Sequence, residues 1–395
     1  MVAAEQWKTG SLDGMEFLPR TLGTRPRLAC EVRAEGVVAA RAEVAAGVLS
    51  AVSRVHLADG VVVSQLRLGD AAGAGGNPAV AGVGDRAEVV AAVRKALEAV
   101  ALRGREVTLV VPDAAVRVLL LDFDALPGKV AEALPVVRFR LKKLLPFDAD
   151  DAAVSYQVMA TSKGIVRVVA VAMPREVLVE YEGVVREAGF EPGAVLTSTL
   201  AALAGLPEDA RPVLVVNAGR QGVTTAIVKA GVLLLHRSVD MRGDVRAESG
   251  MAGLQPGEAV RLPLVNRENS AEEWAHQEPV GFGDSTDAAA AMQTAVLEQE
   301  VAAERGAAAA TSEVAQAVSV AAAYFEDTLE SAPGAVLATG TMGADALAAV
   351  LQYAGVGPVP VAEMVDVEML GPGAAGAGGR VPLGWLAGVR GALAD

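Results

Sequence analysis

The chain has 395 residues, with 34 Lys and Arg against 48 Asp and Glu and a formal net charge of -14, a balance that repels phosphate backbones and excludes a general nucleic-acid binder. At 52% hydrophobic residues it is too apolar for a disordered chain, and its length supports two or more domains with a sizeable core. A single cysteine, Cys30, and three widely spaced histidines, His56, His236 and His276, exclude a disulfide framework and a metal site built from those residues.

Mean hydropathy is +0.37, but no stretch reaches the roughly 18 uncharged apolar residues that a membrane helix needs. The opening MVAAEQWKTGSLDGMEF lacks the apolar core of a secretory signal. The expectation is a cytoplasmic protein whose link to a membrane runs through a partner.

Residues 1–24 read as a flexible tail. RLACEVRA and GVVAARAEV flank an Ala34-Glu35-Gly36 turn and predict a hairpin, with a third strand from Gly60. Residues 70–84 are a Gly/Ala loop. Val89, Val93, Leu97 and Val100 then recur at helical spacing, predicting a helix over 85–103. EVTLVV, ending at Pro112-Asp113, suits a buried strand. Val116–Phe123 is a strand. The helical pattern over 126–145 carries Arg138, Arg140, Lys142 and Lys143 on one side, and Pro135 implies a kink or a break in it. AAVSYQVMA and IVRVVAVAM follow as strands, then a helix over 174–189. LTSTLAALAG predicts a helix, VLVVNAG and VTTAIVKAG a hairpin, and VLLLHRSVD another strand. Residues 244–310 lack periodicity and read as a low-complexity insertion. Helix returns over 313–329, AVLATG is a strand ending in a Gly turn, and GADALAAVLQ is a helix.

Cys30, between apolar neighbours in a strand, reads as a buried structural thiol. The four-cation face of the 126–145 helix reads as a solvated surface, or alternatively as a contact to an acidic partner or membrane surface.

The order of these pieces carries the main inference. A hairpin, an inserted α+β module, a second hairpin and a strand–Gly–helix unit resemble the actin-like (ribonuclease H-like) two-lobed α/β fold. RFRLKKLLPFDADDAAVSYQVM, IVRVVAVAMPREVLVEYEGVVREAGFEPGAVLTSTLAAL and VLVVNAGRQGVTTAIVKAGVLLLHRSVD resemble, more closely, the PilM family of cytoplasmic type IV pilus assembly proteins. The resemblance leaves the flexible tail at 1–24 and the insertion at 244–310 unexplained and implies a first actin-like subdomain at 25–104. An inserted SHS2-like module follows at 105–190. The second lobe falls at 191–243 and 311–395, interrupted by the insertion at 244–310.

The same resemblance implies ATP with Mg as the cofactor, held by Glu31, Asn217, Gly219, Thr224, Thr225, Gly340 and Thr341. It assigns no catalytic residue and no separate metal site. The chain departs from the family's motifs at several of these places. Glu31 stands at an Asp position, Arg33 at a Gly position and Ala39 near a Lys position. Asn217 stands at the second Asp position and Thr341 where a second Gly is expected. Losing charge and glycine from a phosphate cradle implies weak or absent hydrolysis.

The resulting expectation is a cytoplasmic scaffold of the pilus machinery, peripheral to the inner membrane. It captures the N-terminal peptide of a single-span inner-membrane pilus assembly protein in a groove walled by Val116–Phe123 and by Leu144–Phe147, and it meets other components of the pilus machine. It takes no nucleic acid and has no direct membrane span. The competing expectations are an active actin-like Mg-ATPase, a cytoplasmic platform component of type II secretion, and a sugar or acetate kinase of the same fold.

Overall fold

The computed structural model describes residues 26–42, 48–63, 82–83, 85–207, 211–241, 311–355, 359–374 and 381–394. The expected tail at 1–24, the Gly/Ala loop up to residue 81, and the insertion at 244–310 with His276 lie outside the described residues. The chain divides into a unit of Met1–Met241 with Ser312–Asp395 and a unit of Arg242–Thr311. The architecture below is that of the first unit.

Strands β1 (Leu28–Arg33) and β2 (Gly36–Ala42) form the expected hairpin, and β3 (Leu49–His56) extends it antiparallel. Short strands β4 (Val62–Val63) and β5 (Gly82–Val83) pair with each other. Helix α1 (Arg86–Val100) starts where the Asp85 side chain accepts from the Glu88 N–H at 3.1 Å, and it buries Val89, Val93, Leu97 and Val100. Strand β6 (Glu106–Val111) is buried beyond its first residue and runs parallel to β1. Although it heads the 105–190 span, β6 is thus a strand of the first sheet, and the chain leaves that sheet only at Pro112.

The excursion consists of β7 (Arg117–Phe123), α2 (Val130–Leu141), β8 (Ala152–Ser162), β9 (Ile165–Pro174) and α3 (Arg175–Glu187). Its sheet has the order β7-β9-β8, all antiparallel. Pro135 does not divide α2, which is a single helix of 12 residues. Arg138, from a partly buried position, and Lys142, from the surface, hold the loop after it. Arg138 donates to the Ala149 and Ala152 carbonyls, and Lys142 pairs with Asp150 at 2.5 Å. Arg140 and Lys143 are exposed too, beside Phe139, so three of the four cations face solvent.

The chain re-enters the first sheet as β10 (Glu191–Thr197), parallel to β6, and continues directly into α4 (Ser198–Ala204). In the second lobe, β11 (Val213–Ala218), β12 (Gly222–Lys229) and β13 (Val232–Asp240) are antiparallel neighbours. After a helix through 312–324, β14 (Ala335–Gly340) and β15 (Val361–Glu363) add in parallel. The two five-stranded sheets therefore share one design: β3-β2-β1-β6-β10 and β13-β12-β11-β14-β15, three antiparallel strands followed by two parallel ones.

Between the sheets lie α4 and the C-terminal segment, a short 3-10 turn Leu383–Leu386 running into the helix Ala387–Ala392. They share a core with residues of both sheets, among them Ala29, Val38, Val110, Val215 and Ala226. Close approach depends on glycine. A Cβ at Gly391 would be driven into the Ala201 carbonyl, and one at Gly388 into the Glu31 carboxylate.

Candidate functional site

All six residues of β1 are buried, so both faces of the strand are covered. Cys30 and Val32 pack on the side of α1, in the role expected of Cys30. With a two-residue period, Ala29, Glu31 and Arg33 take the other side, toward the second lobe. Two charged groups are thus carried into the interior by strand geometry, and they must be satisfied there.

They are met by groups at the carboxyl ends of neighbouring strands. Arg33 Nη2 lies 2.7 Å from Glu31 Oε1 and donates to Ser198 Oγ at 3.1 Å, while Nη1 reaches Asn217 Oδ1 at 3.4 Å. The Ser198 hydroxyl donates to Glu31 Oε1 at 2.6 Å. Asn217 Nδ2 faces the Ser198 and Thr199 hydroxyls, each at 2.9 Å, and Asp113 Oδ2 at 3.1 Å. Asp113 also accepts from the Thr199 hydroxyl and, at 2.9 Å, from the Thr199 N–H. Asp113 comes from the end of β6, Ser198 and Thr199 from the start of α4, and Asn217 from β11. One network therefore ties the first sheet, the helix and the second sheet together.

Burial pushes the Glu31 carboxyl above the usual carboxylate range and the Asp113 charge adds to this, while the Arg33 guanidinium and the Ser198 hydroxyl pull it back. Glu31 Oε2 is buried without a hydrogen-bond partner, under the backbone of Gly388.

Of the residues expected to hold a nucleotide, Glu31, Asn217, Gly219 and Thr224 line one cavity, together with Arg33, Glu35, Asp113, Ser198 and Asp240. The Thr224 hydroxyl is paired with Ser238 Oγ at 2.7 Å. Gly340 lies against the same strand end. Its φ is +87°, and a Cβ there would run into the Ala218 carbonyl and come within 2.6 Å of Asn217 Oδ1. Thr341 donates from its hydroxyl to the Ala218 carbonyl at 3.2 Å. Thr225 is the exception: strand alternation turns it away from the cavity that Thr224 lines, and its buried hydroxyl has no partner. Sequence reasoning missed Asp113, Ser198 and Thr199. The available signal was their position, since polar residues directly after buried parallel strands face the crevice of an open α/β sheet.

His236 on β13 has a buried, unpartnered Nε2. Burial pushes its pKa down, against the opposing pull of Asp113. Its folded-state pKa then lies below the unfolded value, so the unfolded chain takes up the proton first. The stability that neutral His236 contributes is full above the unfolded pKa of about 6.5 and is lost as pH falls below it. A His236→Leu variant should match the wild type in urea unfolding at pH 7.5 and be the more stable of the two at pH 5.5. Equal offsets at both pH values would contradict this.

No protein-family model matches the chain. No curated protein matches it either. Solved structures do. A chain of the PilM-PilN type IV pilus biogenesis complex superposes with a TM-score of 0.60 at 16% identity, over 93% of this chain and 97% of that one. The ethanolamine utilization protein EutJ from Carboxydothermus hydrogenoformans gives 0.43 at 10% identity, over 97% and 93%. The cytoplasmic domain of EpsL, an inner-membrane component of the type II secretion system of Vibrio cholerae, gives 0.33 at 13% identity, over 65% and 90%. Two sheets of one design facing each other across a shared cavity, with a small three-stranded module set into the first, match that pilus-complex chain over nearly its whole length: this chain has the PilM-like, actin-like ATPase fold.

Proposed function

We propose that the chain is a scaffold of a type IV pilus assembly machine that captures the N-terminal cytoplasmic peptide of a single-span inner-membrane protein, and that its interlobe cavity is not a working ATPase site. The observation that carries the first part is the superposition at a TM-score of 0.60 on a protein solved as the PilM-PilN complex, covering the inserted module as well as both lobes. The module offers a suitable surface. Among the described residues β7 and β8 each pair only with β9, leaving edges to which an extended peptide can add as a strand. Leu119, Phe123, Leu145 and Phe147 are only partly buried against the module's own core, which is where apolar side chains of such a peptide would seat. No helix among the described residues is long and apolar enough to cross a membrane, so attachment at the inner membrane would run through the peptide.

The second part rests on the cavity. Gly340 is explained by packing within the chain, because its backbone approaches the end of β11 more closely than any side chain allows. The groups that line the cavity do not fit Mg-ATP. The Arg33 guanidinium fills the cavity floor between Glu31, Ser198 and Asn217. In the turn after β11, the Gly219 N–H is spent on the Gly222 carbonyl at 2.9 Å and the Arg220 N–H on the Glu35 carboxylate. A phosphate would have to displace partners that are already charge-matched.

Fluorescence anisotropy with a labelled peptide, the cytoplasmic N-terminus of the single-span pilus protein from the same organism, tests the first part. Saturable binding in the micromolar range is expected, and no binding at several hundred micromolar would remove the proposal. Calorimetry with ATP and Mg²⁺ tests the second, where no heat and no phosphate release are expected.

A further inference from the structure

The turn between β11 and β12, Gly219-Arg220-Gln221, projects from the second lobe, and the first lobe grips it at three points. The Arg220 N–H donates to Glu35 Oε1, the Arg220 guanidinium pairs with Asp59, and Gln221 Nε2 donates to the Val62 carbonyl at 3.0 Å. Glu35 is the central contact. It sits in the β1–β2 turn and is buried at 8% exposure. Its backbone carbonyl is fixed by the Leu57 N–H at 3.2 Å and by the His56 ring at 2.8 Å. Its carboxylate lies flat on Gly219, 3.2 Å from where a Cβ would stand.

A glycine-containing turn that presents a backbone N–H is an anion-binding element. Here the anion belongs to the chain itself. A charge-assisted bond from a buried carboxylate to a main-chain N–H is stronger than a neutral one and is weakly screened. The Asp59–Arg220 pair, at 78% and 50% side-chain exposure, adds little by comparison.

We infer that Glu35 is a built-in anion that latches the two lobes together at the mouth of the cavity, so that closure requires no nucleotide. This deepens the reading of the cavity as internally filled and does not depend on the captured peptide. Failed peptide binding would leave it untouched, and a failed latch would leave the peptide proposal untouched.

The test uses the full chain with spin labels on cysteines placed at Leu102 in the first lobe and Tyr353 in the second, which are 78% and 79% exposed. The native Cys30 is fully buried. The wild type should give one narrow distance distribution, unchanged by millimolar Mg-ATP. Glu35→Ala should broaden it toward longer distances. Hydrogen exchange over residues 219–221 should become about tenfold faster or more, with exchange in β1 and β11 unchanged, as expected when a charged hydrogen bond is lost locally. A Glu35→Ala distribution identical to the wild type would overturn the inference, as would a wild type that closes only when Mg-ATP is added. If Glu35→Ala does not fold, Glu35→Gln, which keeps the shape and an acceptor oxygen, carries the exchange test: faster exchange at 219–221 supports the latch, and unchanged exchange overturns it.

Discussion

Replacing Arg33 with alanine is expected to cost about 3–5 kcal/mol of stability in equilibrium urea unfolding, the range seen when one member of a buried ion pair is removed. The size follows from what stays behind. Glu31 is fully buried and one of its oxygens already lacks a partner. Without the guanidinium it keeps only the Ser198 hydroxyl, and Asn217 Oδ1 loses its donor. The carboxyl can relieve the charge by protonating, and burial already biases it that way. The loss should therefore be largest at high pH and shrink toward the unfolded carboxyl pKa of about 4.3. Arg33→Lys should recover only part of it, because a single ammonium cannot replace a fork that reaches Glu31, Ser198 and Asn217 together. Adding Glu31→Gln to Arg33→Ala should recover more, since the stranded charge is then gone. A single alanine variant within about 1 kcal/mol of the wild type would mean that the network is not what joins the lobes.

The difference between what sequence reasoning found and what it missed has physical causes. Strands with strong alternation or β-branched runs, and helices with an apolar face such as Arg86–Val100, were legible because local pattern and tertiary burial agree there. Strand β10 was not. Pro192 and Gly193 break any strand pattern there, yet β10 is the edge strand of its sheet, where a missing N–H is tolerated, and the register shifts between Pro192 and Val195. The segment PLGWLAGVRGAL carries no amphipathic pattern that would mark its packing. Its glycines are spaced so that a helix can lie directly on Glu31 and on the Ala201 carbonyl, contacts no local pattern encodes. Glu31, Asn217 and Gly340 were legible through their resemblance to a known motif order. Their partners Asp113, Ser198 and Thr199 were not, because they derive their role from the meeting of β6, α4 and β11, which are distant in sequence. Thr225 was placed in the site by its neighbour Thr224, and a two-residue period separates them.

Asn217 decides between a damaged nucleotide site and a cavity that has settled on a different purpose. Read against the motif, it is an Asp that has lost its charge. Its contacts say otherwise: the amide nitrogen faces Asp113 and the amide oxygen faces Arg33, and only a side chain with a donor at one tip and an acceptor at the other satisfies both. Asn217→Asp, nearly isosteric, would place a second carboxylate 3.1 Å from Asp113 Oδ2 in a buried setting. The expected outcome is a loss of about 2–4 kcal/mol relative to the wild type, set by burying a charge against one of like sign. The new carboxyl would have its folded-state pKa raised by burial and by Asp113, against the opposing pull of Arg33 at its other oxygen. The deficit should therefore be full at pH 8 and fade as pH falls toward the unfolded Asp pKa of about 3.9. If the cavity were instead an ATPase site lacking one acid, the same substitution would restore metal-dependent nucleotide binding, and Mg-ATP would raise the stability of the variant. Urea unfolding of Asn217→Asp with and without Mg-ATP, at pH 5 and pH 8, separates the two. A stabilised, nucleotide-responsive variant would sink the reading of this cavity as a structural joint between lobes.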